Sequence, residues 1–245
     1  MNSKKLKDLQ NTTTAQEDYS DREPAQKEGL PTGPFGQGGE DQPVSLLIFV
    51  PRNAVSSLIN IATGGYGYSH LAVDCGEVDI PTGKRVMIEA TVGQRVHTSF
   101  QDEYGDRKFV RIPLEKAGVN LVEFCNCIHS KLGEKYDDEE ALTFGLIHNP
   151  ARQICSDLAT VCLPDKIRAR IAHSYRSGQI HALSAMRLFE GPHRTFRLFV
   201  SPNGFAEFFG APKGDKLNCA DQMVEPVLPP RWNLPLRIFM RTSRP

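Results

Sequence analysis

Three residues have types and settings that suit covalent chemistry: Cys155, His70 and Glu89. Cys155 stands in Ile154-Cys155-Ser156-Asp157-Leu158, after the loop signal Asn149-Pro150 and at the start of a stretch that is apolar at Leu158, Ala159, Val161 and Cys162. This places it in the first turn of a helix, where unpaired N–H groups and the positive end of the dipole favour a thiolate and can also hold an oxyanion. His70 follows the glycine-rich turn Gly64-Gly65-Tyr66-Gly67 and opens a strand. A histidine there can point from the end of a sheet toward a facing helix, as the base of a cysteine nucleophile must. Glu89 lies inside the apolar run Val86-Met87-Ile88-Glu89-Ala90. A carboxylate in such a strand needs a partner, and an imidazole on a neighbouring strand would supply one, leaving Glu89 to orient the ring and offset its charge. Each residue also has a plainer reading: a packing cysteine, a turn-capping histidine and an edge glutamate facing water.

Other groupings carry less. Cys162 shares a helix face with Cys155 but lies about two turns on, roughly 10 Å away, so the two cannot share a site. Cys125, Cys127 and His129 have the types of metal ligands, but they sit in a helical stretch whose buried stripe reads Leu121, Cys125, Ile128 and Leu132. Residues two apart on a helix point in different directions and do not converge on one ion, so no metal is expected. No Gly-Lys-Ser/Thr follows the glycine turn, which removes a phosphate loop. No cofactor is called for.

The elements that must position these groups follow in order. Strands are expected at Leu46–Val50, His70–Asp74, Val86–Val92, Phe109–Ile112 and in the FRLFV stretch from Phe196, with a late strand at Leu236–Met240. Helices are expected at Ala54–Ala62, Ala117–Leu132, from Cys155, and after Pro202, with a loop over Gly133–Asp138 and a basic helical insertion around 164–194. This is an α+β layout, a small and mostly antiparallel sheet packed against helices. Residues 1–43 are polar and rich in glycine over Gly33–Gly39, which predicts a disordered arm before a domain at 44–245.

Bulk properties narrow the classes. Lys plus Arg number 29 and Asp plus Glu 29, so no net charge draws the chain to nucleic acid or to an anionic membrane. No apolar run approaches the ~20 residues of a membrane helix. The N-terminus has charges but no apolar segment behind them, so the chain is expected to begin in the cytoplasm without a Sec signal, and any export uses another route. Six cysteines in 245 residues do not suggest a disulfide-dense scaffold.

Taken together, Ser69-His70-Leu71-Ala72-Val73, Ile88-Glu89-Ala90, Gly133-Glu134-Lys135-Tyr136-Asp137 and Cys155-Ser156-Asp157-Leu158 resemble the permuted papain-like amidases of the YiiX/YaeF type. These are relatives of the NlpC peptidoglycan amidases and of lecithin–retinol acyltransferase. The opening strand and Ser201-Pro202-Asn203 fit the same pattern, and the resemblance spans about Val44 to about Pro212. It implies a circularly permuted papain-like fold, with Cys155 as nucleophile, His70 as base and Glu89 as orienting residue. Tyr136, Tyr68 and Ser156 become the expected substrate-binding residues. Ile154 replaces a usual aromatic and Asp157 a usual Glu, departures that bear on substrate more than on mechanism. The expected activity is cleavage of an amide or peptide bond, such as a cell-wall peptide, through an acyl-enzyme. An acyl-lipid esterase or acyltransferase on the same site is the second expectation, and a non-catalytic binding module the third. A hydrolase without a signal peptide also suits an exported antibacterial effector with an immunity or secretion partner.

Overall fold

The apolar run Leu46–Val50 becomes a central strand, which is why it carries no polar alternation. A computed structural model describes residues 35–37, 43–137, 152–180, 185–190 and 195–226, all within one unit spanning 31–245. Strand β2 (Ser45–Phe49), buried at every residue, pairs antiparallel with β3 (His70–Asp74) on one side and β7 (Phe109–Pro113) on the other. β5 (Val86–Ala90) and β6 (Val96–Phe100) continue the sheet antiparallel beyond β3, while β12 (Asp221–Met223) joins β7 in parallel. The result is a mixed six-stranded sheet in the order β12-β7-β2-β3-β5-β6.

Alternation sorts the side chains between two faces. Leu46, Ile48, Leu71, Val73, Ile88, Val110 and Ile112 form one face of the main core. Phe124 and Ile128 of α2 (Leu121–Ser130), Leu158 of α3 (Cys155–Cys162), Ile167 and Ile171 of α4 (Asp165–Arg176) and Phe205 of α5 (Pro202–Phe208) complete it. Each such fully buried side chain contributes roughly 1.5–3 kcal/mol. The opposite face carries a smaller cluster of Leu47, Phe49, Ala72, Met87 and Phe109, with Tyr104 packed against it. With α1 (Ala54–Ala62), whose bounds agree with the sequence expectation, the described residues form an α+β fold with five helices.

Several expectations change. The strand expected to reach Val92 stops at Ala90, where residues from Thr91 to Gln94 make a turn with Gly93 at φ 73°. The helix expected over Ala117–Leu132 is shorter and buries Phe124 and Ile128, while Leu132 lies past its end, 37% exposed. Among the described residues, the insertion expected around 164–194 is helical only over α4. The chain then forms a hairpin of β10 (Ala185–Glu190) and β11 (Thr195–Val200). Within the expected arm, β1 (Phe35–Gln37) pairs antiparallel with β4 (Glu77–Asp79), so ordered structure starts before Val44. The rest of residues 1–42 and the expected strand at Leu236–Met240 lie outside the described residues.

The cysteines differ most. Four of the six are paired, Cys75 with Cys125 and Cys127 with Cys162. The geometry that keeps Cys125, Cys127 and His129 off a common ion sends each to its own partner, with His129 Nε2 2.9 Å from Glu77. Helix α2 is thereby bonded both to the residue that follows β3 and to the end of α3.

Candidate active site

His70 reaches its place through a turn built on close backbone approach. The ideal Cβ position of Gly67 lies 2.5 Å from the Gly214 nitrogen, and that of Gly214 lies 2.2 Å from the Gly67 oxygen, so a side chain fits at neither. Asn203, buried in α5, fastens the same turn: its Oδ1 accepts from the Tyr68 N–H at 2.8 Å, and its Nδ2 donates to Thr63 Oγ1 at 2.9 Å and to the Asn60 carbonyl at 3.0 Å. This gives Ser201-Pro202-Asn203 a physical role, since Ser201 caps α5 by accepting from the Gly204 N–H and Asn203 holds the approach to β3.

Cys155 is positioned by a chain of short pairings. Val96 donates to the Glu134 carbonyl at 2.8 Å, tying the segment after α2 to the edge strand β6. That segment forms β8 (Lys135–Tyr136), which pairs in parallel with β9 (Arg152–Gln153), where a plain loop was expected over Gly133–Asp138. Ile154 is the N-cap, so Cys155 is the first residue of α3, as expected, and it is 8% exposed. Helix α3 packs against β3 and β5, which brings the Cys155 thiol close enough to the His70 ring to act on its protonation.

Glu89 pairs with Ala72 in register and shares a sheet face with His70. Its Oε2 accepts from His70 Nε2 at 2.6 Å, which leaves Nδ1 as the ring nitrogen for the thiol. Tyr104 donates its hydroxyl to the same Oε2, with that hydroxyl 3.3 Å from His70 Nε2 and its ring stacked on the imidazole at 6.1 Å. His97, directly across from Glu89 on β6, has Nε2 3.7 Å from Oε1. Burying Glu89 at 3% side-chain exposure would cost several kcal/mol unpaired, and these donors offset it.

The electrostatics follow from this packing. Burial alone lowers the pKa of His70, but hydrogen bonds to Cys155 and Glu89, with their charges, outweigh it and raise it to about 9. Burial works to raise Glu89, yet the hydrogen bond and charge of His70, aided by Tyr104, bring it down to about 2. Burial and the Glu89 charge push Tyr104 well above its usual range, so it stays a neutral donor. The cluster thus favours a proton on the imidazole, between a thiol sulfur and a carboxylate.

Cys155, His70 and Glu89 are brought together; the expected substrate-binding residues are not all at hand. Tyr68 has no exposed surface, and its hydroxyl donates to the Pro212 carbonyl at 2.6 Å, so it is a core residue. Tyr136 packs in the main core at 8% exposure. Ser156 is 1% exposed with its Oγ unpartnered among the described residues, so what it offers the site is its main-chain N–H in the first turn of α3. Sequence reasoning passed over Tyr104 and Arg107, both from the polar turn between β6 and β7. The only signal there is a tyrosine and an arginine on either side of Gly105-Asp106 in a stretch without periodicity.

The arrangement is an α+β domain with a cysteine at a helix start, its thiol on a histidine held by a buried carboxylate. Comparison with protein-family models, curated proteins and solved structures gives no match.

Proposed function

We propose that the chain is a cysteine hydrolase that cleaves an amide or peptide bond through an acyl-enzyme on Cys155, in a circularly permuted papain-like domain. The observation that carries the reading is the His70 ring, hydrogen-bonded to buried Glu89 and close enough to the Cys155 thiol for the sulfur to favour its protonation. The proton between sulfur and ring rests on His70, and the sulfur attacks the carbonyl carbon. The oxyanion lies toward the N–H groups of the first turn of α3. The imidazolium then gives its proton to the leaving amine as the C–N bond breaks. Water, deprotonated by the same ring, attacks the thioester and restores the thiol. Glu89 offsets the imidazolium charge, and Tyr104 fixes Glu89.

The two disulfides support a place of action in an oxidising compartment, and so an exported protein rather than one that stays in the cytoplasm. The test is labelling with a thiol-reactive acyl probe, followed by turnover assays on muropeptides and on phospholipids. Labelling at Cys155 with release of an amine from muropeptides is the expected result. Turnover of phospholipids alone would move the assignment to an acyl-lipid esterase or transferase. Absence of labelling would leave a binding module.

A further inference from the structure

We infer that Arg107 forms an anion subsite beside Cys155, so that the substrate carries a carboxylate or a phosphate close to its scissile carbonyl. This deepens the proposed function and rests on Cys155 being the nucleophile. The Arg107 guanidinium is fixed on three sides. Its Nε donates to the Val50 carbonyl at 2.8 Å, its Nη2 to Ser69 Oγ at 3.4 Å, and its Cζ lies over the rings of Phe49 at 5.1 Å and Tyr104 at 5.5 Å. Those two rings also flank the base, with centroids 5.7 Å and 6.1 Å from that of His70. Arg107 therefore stands one ring away from the base, and Ser69, its third support, is the residue before His70 in the chain.

Its charge is matched by no direct ion pair among the described residues. Among the described residues no carboxylate lies within 4.0 Å of it, whereas Arg85 and Arg111 share Asp74 and Arg168 holds Asp165. Glu89 is already engaged by His70 and Tyr104. Arg107 is partly buried, and burial lowers its pKa by more than Tyr104, Glu89 and Cys155 raise it, the mark of a cation held where water compensates it poorly. The exposed Arg52 adds a second positive charge close enough to act in the same direction. Nη1 makes no hydrogen bond among the described residues, and a guanidinium edge presented in this way takes a planar carboxylate or a phosphate in a forked contact.

The test uses three bromoacetamides that alkylate Cys155 with the same reactive carbon and differ at the far end: a carboxylate (from β-alanine), a phosphate (from ethanolamine phosphate) and a hydroxyl (from ethanolamine). Sites are mapped by mass spectrometry without reductant. At low salt an anionic reagent is expected to modify Cys155 about five- to tenfold faster than the neutral one, an advantage that shrinks as ionic strength rises. R107Q should remove most of that ratio and R107K should keep it. The His70 cation is present in all three proteins, so the change isolates Arg107. A faster carboxylate reagent assigns a peptide-type acid and a faster phosphate reagent a phospholipid-type group. Equal rates for all three reagents, or an advantage that survives R107Q, would overturn the subsite while leaving the nucleophile intact. Failure of every reagent at Cys155 would overturn the proposed function and the subsite together.

Discussion

Strand β3 carries a buried acid–base cluster near each of its ends, and the two behave differently. Near its end, Asp74 is fully buried and accepts from the guanidinium of Arg85, from Arg111 Nη1 at 2.7 Å and from the Gly76 N–H at 2.8 Å. Arg111 goes on to Gln101 at 2.9 Å and Asp221 at 3.0 Å, fastening the short parallel strand β12 to the sheet. Near its start, Glu89 meets His70, Tyr104 and, through His70, Cys155. Both clusters bury a carboxylate on the same sheet face, as the alternation His70, Ala72, Asp74 requires. Guanidinium groups never release a proton near neutrality, so the Asp74 cluster is static. An imidazole facing a thiol can exchange one, so the Glu89 cluster has chemistry open to it. What separates a brace from a candidate site is the partner of the carboxylate, not its burial.

The largest expected contrast comes from breaking each cluster once. Cys155→Ala should lower turnover on the order of 10³-fold or more, with a melting temperature close to wild type, because a small residue replaces a small one. Asp74→Ala should cost about 3–5 kcal/mol in chemical denaturation, since it leaves arginines buried without their acid. Comparable loss of stability in both variants would erase the distinction.

The bridges come next. Cys127→Ser with Cys162→Ser opens a link across 35 residues and should cost about 2–4 kcal/mol, as should Cys75→Ser with Cys125→Ser across 50. Melting curves of the double variants check this.

Glu89→Gln should slow turnover on the order of 10²-fold. The stabilising interaction of His70 is fully present below its unfolded value near 6.5 and is lost as pH rises through about 9; that of Glu89 is present above about 4.5 and is lost as pH falls toward about 2. Activity should therefore fall on the alkaline side near pH 9 in the wild type. In Glu89→Gln the imidazolium loses its carboxylate, so that limb moves to lower pH. An unmoved limb would mean that another group holds the ring. His97 is the nearest alternative, whereas Asp74 is committed to arginines.

The smallest effect belongs to Tyr104→Phe. Loss of one donor to Glu89 should cost about 1 kcal/mol, a several-fold drop in rate. A full wild-type rate would show that His70 and the strand backbone suffice to hold Glu89.

Much of this site was legible because each part lies on a periodic element. A loop followed by an apolar helix placed Cys155 at N1, the turn before an alternating strand placed His70, and a carboxylate inside an apolar strand marked Glu89 as needing a partner. Tyr104 and Arg107 lie in the turn Gln101-Asp102-Glu103-Tyr104-Gly105-Asp106-Arg107, whose polar residues show no period. Their place is set by the reversal of chain between two strands, one of which was not foreseen. Tyr68 and Tyr136 read as pocket residues because tyrosine suits either a pocket or a core, and only the packing decides. The cysteine pairing was closed to local reading as well: helix geometry separates Cys125 from Cys127, but their partners, Cys75 and Cys162, are fixed by how α2 packs against the sheet and α3.

The most direct test of the thiol–imidazole pair is the pH dependence of alkylation at the two free cysteines, Cys155 and Cys219, in wild type and His70→Ala. Treatment with iodoacetamide without reductant, read by peptide mapping, uses exposed Cys219 as the internal reference. Cys155 should react faster than Cys219 between pH 6 and 7 despite its burial, and His70→Ala should remove this excess while the protein stays folded. A Cys155 no faster than Cys219 in wild type, or one unaffected by His70→Ala, would contradict that pairing.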